Sequence, residues 1–206
     1  MKARSFSPCV FLLPLLWVLA VTGCNIIPAS QPDTTRYYVL TTTPAKTAAA
    51  APAAHWRVSL RPIEIPSFLR GKAMQVRQGG NEIHYAEEAR WAEPLEAGLS
   101  RVLRESLEGR GEIAHVVASP GEDHDFEIAV RLLRCEGDRD AKVARLVAVV
   151  EIFPPGAGSE RRARDVYTLE VPGWDGSYGQ LALKLSEAVD GLADRIVTVL
   201  GTAEKP

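Results

Sequence analysis

The chain has 206 residues, 46% of them hydrophobic, with 24 basic and 26 acidic side chains and a formal net charge of −2. That length and apolar content suffice for one domain with a proper core. The faint acidity argues against nucleic acid as a partner, because phosphate backbones call for a basic stripe.

The first residues fall into three zones: basic Met1-Lys2-Ala3-Arg4, an apolar run from Cys9 to Val21, and Val21-Thr22-Gly23-Cys24. This order reads as a signal peptide over residues 1–23. The run is broken by Pro14 and falls short of the ~20 apolar residues that span a bilayer. The ending Val-Thr-Gly-Cys resembles a bacterial lipobox, and what that implies is cleavage before Cys24 and a diacylglycerol on its sulfur. Two or three acyl chains hold a protein firmly at a membrane, whereas one holds it only reversibly. Asn25 follows the cysteine, and by similarity to the sorting rule of enteric bacteria this favours the outer membrane. Cys9 would leave with the signal and Cys24 would carry lipid, so Cys135 remains alone as a buried, inert thiol.

Residues 24–35 are rich in Pro, Ser, Gln, Asp and Thr and read as the lipidated cysteine with its flexible tether. Residues 36–206 read as one domain. Arg36 to Leu40 is a short strand, and residues 41–54 form a flexible Ala/Pro-rich insertion. A strand covers Arg57 to Ile63 and stops near Pro62 and Pro66. Ala73 to Arg77 and Glu82 to Tyr85 flank Gln78-Gly79-Gly80-Asn81 as a hairpin.

A helix is predicted from the spacing of Trp91, Leu95, Leu99, Val102, Leu103 and Leu107, with Pro94 in its first turn and Gly109 ending it. Glu87 and Glu88 then serve as acids beside its positive end. Runs at Ile113 to Ala118, Phe126 to Arg134, Val143 to Phe153 and Arg164 to Val171 form an antiparallel meander, with turns at Gly137-Asp138-Arg139-Asp140 and Pro154 to Gly158. The last helix opens on the capping box of Ser177 and Gln180 and carries the stripe Leu181, Leu185, Val189, Leu192, Ile196 and Val199. The fold class expected is α/β: a two-layer, largely antiparallel mixed sheet with two amphipathic helices packed on one face.

Three features resemble the PqiC/YmbA-type auxiliary lipoproteins of ABC-type transport: Tyr37-Tyr38-Val39-Leu40; Val58 to Leu69 with its Ile65-Pro66-Ser67-Phe68-Leu69; and Glu88-Ala89-Arg90-Trp91-Ala92-Glu93-Pro94-Leu95. The resemblance runs over nearly all of the mature chain and weakens through residues 119 to 165. It implies a periplasm-facing lipoprotein on the inner leaflet of the outer membrane. It also implies an MCE-domain protein and a membrane permease as partners in intermembrane phospholipid transport, and a ring of identical subunits. No catalytic residue is implied, and no cofactor beyond the covalent lipid on Cys24. The alternative is a regulatory or assembly lipoprotein for a cell-wall synthase or for outer-membrane protein machinery. A carrier with its own apolar cavity is a third reading, which two fully used helical stripes disfavour.

The candidate partner contacts are Phe68, Leu69 and Trp91. Phe68 and Leu69 tip a loop that is either a contact surface or a lid over the core. Trp91 is a possible interface anchor, although its stripe points first to the core. Asp123-His124-Asp125 and the scattered His55, His84 and His115 lack the convergence a zinc site needs and read as polar turn residues. Arg161, Arg162 and Arg164 form a basic knot that either meets anionic headgroups or is a solvated strand end. Without a nucleophile elbow, P-loop or dinucleotide fingerprint, the expectation is no enzyme and no metal.

Overall fold

Thirteen residues, Phe126–Asp138, alternating in burial over the first half and buried throughout the last four, make the strand on which the sheet is organised. The computed structural model describes residues 32–42, 55–118, 121–156 and 158–203. Cys24, the signal zone and most of the 41–54 insertion lie outside the described residues. The chain divides into two units, Met1–Thr34 and Thr35–Pro206, and every element named below belongs to the second.

The strands are β1 (Arg36–Tyr38), β2 (Trp56–Leu60), β3 (Ala73–Gln78), β4 (Glu82–Trp91), β5 (Ile113–Val117), β6 (Phe126–Asp138), β7 (Val143–Phe153) and β8 (Ala163–Pro172). The helices are α1 (Leu95–Glu108) and α2 (Tyr178–Ala203). One flank of β6 pairs antiparallel with β7 along its length, and β7 pairs antiparallel with β8. The other flank is shared. β2 lies parallel to its first residues and β3 parallel to its last, with β5 beyond β2, and β4 then β1 beyond β3. The result is an eight-stranded mixed sheet, antiparallel along its longest pairings, with two helices.

α2 packs on β6, β7 and β8 and touches α1, which lies against β5. Its buried stripe runs through Leu181, Leu185, Val189, Leu192, Ile196 and Val199. Side chains one strand position apart take opposite faces, so Asp165, Tyr167 and Leu169 of β8 meet α2 while Arg164, Val166, Thr168 and Glu170 stand on the open face. Ser177 caps α2, its hydroxyl accepting from the Gln180 amide at 3.3 Å, while Gln180 accepts from the Asp175 amide.

Four sequence expectations change. Trp91 ends β4 instead of opening a helix, because β1 arrives to pair Tyr38 with Trp91 and keeps the chain extended. α1 therefore starts at Leu95 with Pro94 just before it, and Glu87 and Glu88 are strand residues; the first-turn acid is Glu96. The meander loses its first member, since β5 pairs parallel with β2. Gly137 is a strand residue and not a turn, and it lies beneath the Trp174 indole, where an added Cβ would meet ring carbons at 2.7 Å.

Candidate functional site

The segment between β2 and β3 runs across β6 before it turns. The Glu64 amide donates to Val130 O at 3.0 Å and Glu64 O accepts from the Leu132 amide at 2.8 Å, a single parallel bridge that anchors the loop. Proline at 62 and 66 cannot donate to a ladder, which is why pairing is confined to that bridge. A 3₁₀ turn, Ser67–Leu69, follows.

Phe68 O accepts from Gln75 Nε2 at 3.1 Å and from Tyr85 Oη at 3.3 Å, so the turn is tied to β3 and β4. Leu69 is completely buried and Trp91 is 3% exposed, so both spend their apolar surface on the core. Phe68 packs against the same core and keeps part of its ring outside.

Beside this loop is a groove of about 210 Å³ between Pro62, Glu64, Arg131, Glu151 and Phe153. It shares Arg61, Pro62 and Glu64 with a wider hollow of about 690 Å³ that reaches Ile63, Ile65, Arg70 and Glu96. Arg61 organises the junction. Its guanidinium lies 4.3 Å above the Phe153 ring centroid and its Nε donates to Glu127 at 2.7 Å. Burial pushes the Glu127 carboxyl up, but the hydrogen bond and charge of Arg61, with His124 and the Gly156 amide helping, bring it below its ordinary value.

The groove carries charges of both signs over an apolar floor. Glu151 holds Arg161 at 2.7 Å and Arg164 at 3.5 Å, so two members of the basic knot serve the protein's own strand end. Arg70 and Arg131 have no ion pair among the described residues, and one Glu96 carboxylate oxygen is buried without a hydrogen-bond partner there.

The remaining sequence candidates stay apart. Asp125 accepts from the Arg57 amide at 2.7 Å and Asp123 meets the Arg57 guanidinium at 3.3 Å, while His124 leans on Glu127 at 3.5 Å. His84 pairs with Glu82, His115 with Glu108, and His55 rests edge-on against Trp56. Among the described residues no three potential metal ligands converge. The groove residues Arg61, Arg131, Glu151 and Phe153 had no local signal in the sequence, because three separate segments contribute them.

The model of the ABC-type transport auxiliary lipoprotein component matches residues 38–197. Protein XCC0632 of Xanthomonas campestris superposes with a TM-score of 0.69 at 18% identity, covering 81% of this chain and 95% of that one. An uncharacterized protein of known structure gives 0.66 at 15% identity, covering 80% and 97%. These two likenesses speak to the fold. No curated protein matches the chain.

Proposed function

Because the chain belongs to the family of ABC-type transport auxiliary lipoprotein components, we propose that it is the non-catalytic accessory subunit of an MCE/ABC-type system that moves phospholipids between membranes. A lipid on Cys24 holds it to the inner leaflet of the outer membrane, facing the periplasm, and its domain receives a protein of the transport machinery.

The observation that carries the reading is the groove and adjoining hollow beside Pro62 to Ile65, whose mixed apolar and charged lining suits a protein partner and not a reacting small molecule. Its lining joins β6 and β7 of one sheet to the segment between β2 and β3, which the Glu64 bridge ties to β6, so the surface is preorganised. Preorganisation lowers the ordering cost of association. Phe68, partly buried, follows this segment in the chain, and the fully buried Leu69 beside it holds the turn to the core.

The test is recovery of the native lipoprotein from detergent-solubilised membranes after mild crosslinking. An MCE-domain protein should come with it, and Phe68→Ser combined with Arg131→Glu should abolish the capture while the domain stays folded. Capture of a cell-wall synthase or of outer-membrane assembly proteins instead would replace the reading. Mass spectrometry of the mature amino terminus should show a lipidated Cys24, and a free cysteine would remove the anchor.

A further inference from the structure

We infer that the outer edge of β8 is a self-association surface, on which a second copy of this chain pairs antiparallel about a two-fold axis at Tyr167. The inference goes beyond the accessory role and does not depend on it.

β1, β5 and β8 each have one strand neighbour among the described residues. β1 offers three residues. The end of β5 is occupied, since Arg104 Nη1 donates to Val116 O at 3.0 Å and to Val117 O at 2.8 Å. β8 is different. It runs ten residues, its pairing with β7 has no register shift, and proline enters only at Pro172. Native edges of such length are ordinarily blunted by a bulge, an internal proline or a short span. None of these three interrupts Ala163–Val171, and the further native device, charge, is present as Arg164, Asp165 and Glu170.

The sequence of the edge fits its own inverse. In an antiparallel pair, residues opposite each other point to the same face. The open-face side chains are Arg164, Val166, Thr168 and Glu170, so an axis at Tyr167 sets Arg164 against Glu170 of the second copy and Val166 against its Thr168. By symmetry each contact occurs twice. Both ends of the ladder become opposite-charge pairs, and Val166, 49% exposed, gains a neighbour at the centre. An axis at Tyr167 also uses nearly the whole strand. On the other face the residues nearest the axis are held by α2, Asp165 by Arg195 at 2.7 Å and Tyr167 by Ala188 O at 3.3 Å. They are preset and need no rearrangement to accept a neighbour.

Two charge reversals test this with the full lipidated protein in detergent micelles, measured by sedimentation equilibrium. R164E places acid against acid at both ends, and E170R places base against base, so each alone should weaken self-association about tenfold. Mixing R164E with E170R restores opposite charges at both ends and should restore association to near the wild-type level. Intrachain effects on folding or on Glu151 and Arg145 are the same in the mixture as in the separate variants, so they cannot produce the rescue. V166C/T168C should form a disulfide-linked dimer on oxidation. A mixture no more associated than its components, or a wild-type chain that stays monomeric with no disulfide dimer from V166C/T168C, overturns the proposal.

Discussion

Arg77 of β3 and Glu136 of β6, 59 residues apart, close a two-pronged ion pair, Nε to Oε1 at 2.5 Å and Nη2 to Oε2 at 3.1 Å. Glu136 is completely buried and the Arg77 side chain is 12% exposed. The hydrogen bond to Glu136 raises the guanidinium pKa, overcoming the opposing effect of its own burial. The pair locks the β3–β4–β1 part of the sheet to the end of β6, where the parallel ladder is only two residues long.

Removing one partner strands the other charge. Arg77→Met should cost about 3–5 kcal/mol, because a buried carboxylate without its cation is far more expensive than no charge at all. The double variant R77M/E136L should be more stable than R77M alone. Urea denaturation of the three proteins decides it, and an R77M cost below about 1 kcal/mol would show the carboxylate is satisfied elsewhere.

Gly191 sits inside α2, where glycine ordinarily costs about 0.8–1 kcal/mol against alanine. Here an added Cβ would meet Tyr167 Oη at 2.5 Å and Leu169 Cδ2 at 3.3 Å. Gly191→Ala should therefore destabilise the wild type, contrary to helix propensity. In a Tyr167→Phe background the nearest oxygen is gone and the same change should stabilise. Thermal unfolding of both pairs reads the change of sign. An equal shift in both backgrounds would mean that the hydroxyl is not the obstacle.

Asp138, Asp165 and Glu127 are among the carboxylates that lie below their ordinary values. Asp138 is lowered by the Ala141 amide first and by Arg145 against the effect of burial, and Asp165 by the Arg195 hydrogen bond. Glu127 is lowered by Arg61 against burial. A carboxylate with a folded pKa below its unfolded one stabilises fully above the unfolded value and ceases to do so as pH falls through the folded value. These groups predict a flat contribution from pH 8 to about 5 and a loss below about 4. Chemical denaturation across that range measures it, and Asp138→Asn should shallow the acid limb. Stability that instead falls as pH rises from 5 to 8 would contradict the assignment.

Burial, with Glu136 adding its charge, pushes the Cys135 thiol up to about 12. The thiolate is the reactive form, so native protein from membranes should not react with a thiol reagent at pH 8. One thiol per mature chain should appear in denaturant. A thiol titrating in the native state would mean either that Cys135 is reached by solvent or that Cys24 is unmodified.

Much of the fold was legible because side-chain period follows backbone geometry. The α2 stripe repeats every three or four residues, and β6 alternates every second from Phe126 to Leu132. Both signals are local, and both elements appear where the pattern places them. Trp91 shows the limit. Its spacing from Leu95 and Leu99 fits a helix as well as its burial fits a strand, and only the arrival of Tyr38 across the sheet settles the matter. Gly137 is a second case, since glycine reads as a turn until the Trp174 ring is found above it.

Of the candidate contacts Phe68, Leu69 and Trp91, the sequence could not say which are spent on the core, because burial of Leu69 depends on the strands beneath it. The groove itself was invisible, its lining coming from β6, β7 and the connection between β2 and β3.

By itself the sequence determined the class of the protein: the two amphipathic helices, the identity of most strands and the family segments around Tyr37, Ile65 and Trp91. These rest on interactions between residues close in the chain or on short local wording. Only the tertiary structure decided which strands are neighbours, that β6 shares one flank between β2 and β3, which apolar tips are spent on the core, and that β8 has a single strand neighbour among the described residues. Those outcomes depend on contacts between segments tens of residues apart, and hydrophobic periodicity says which face of an element is buried without saying against what.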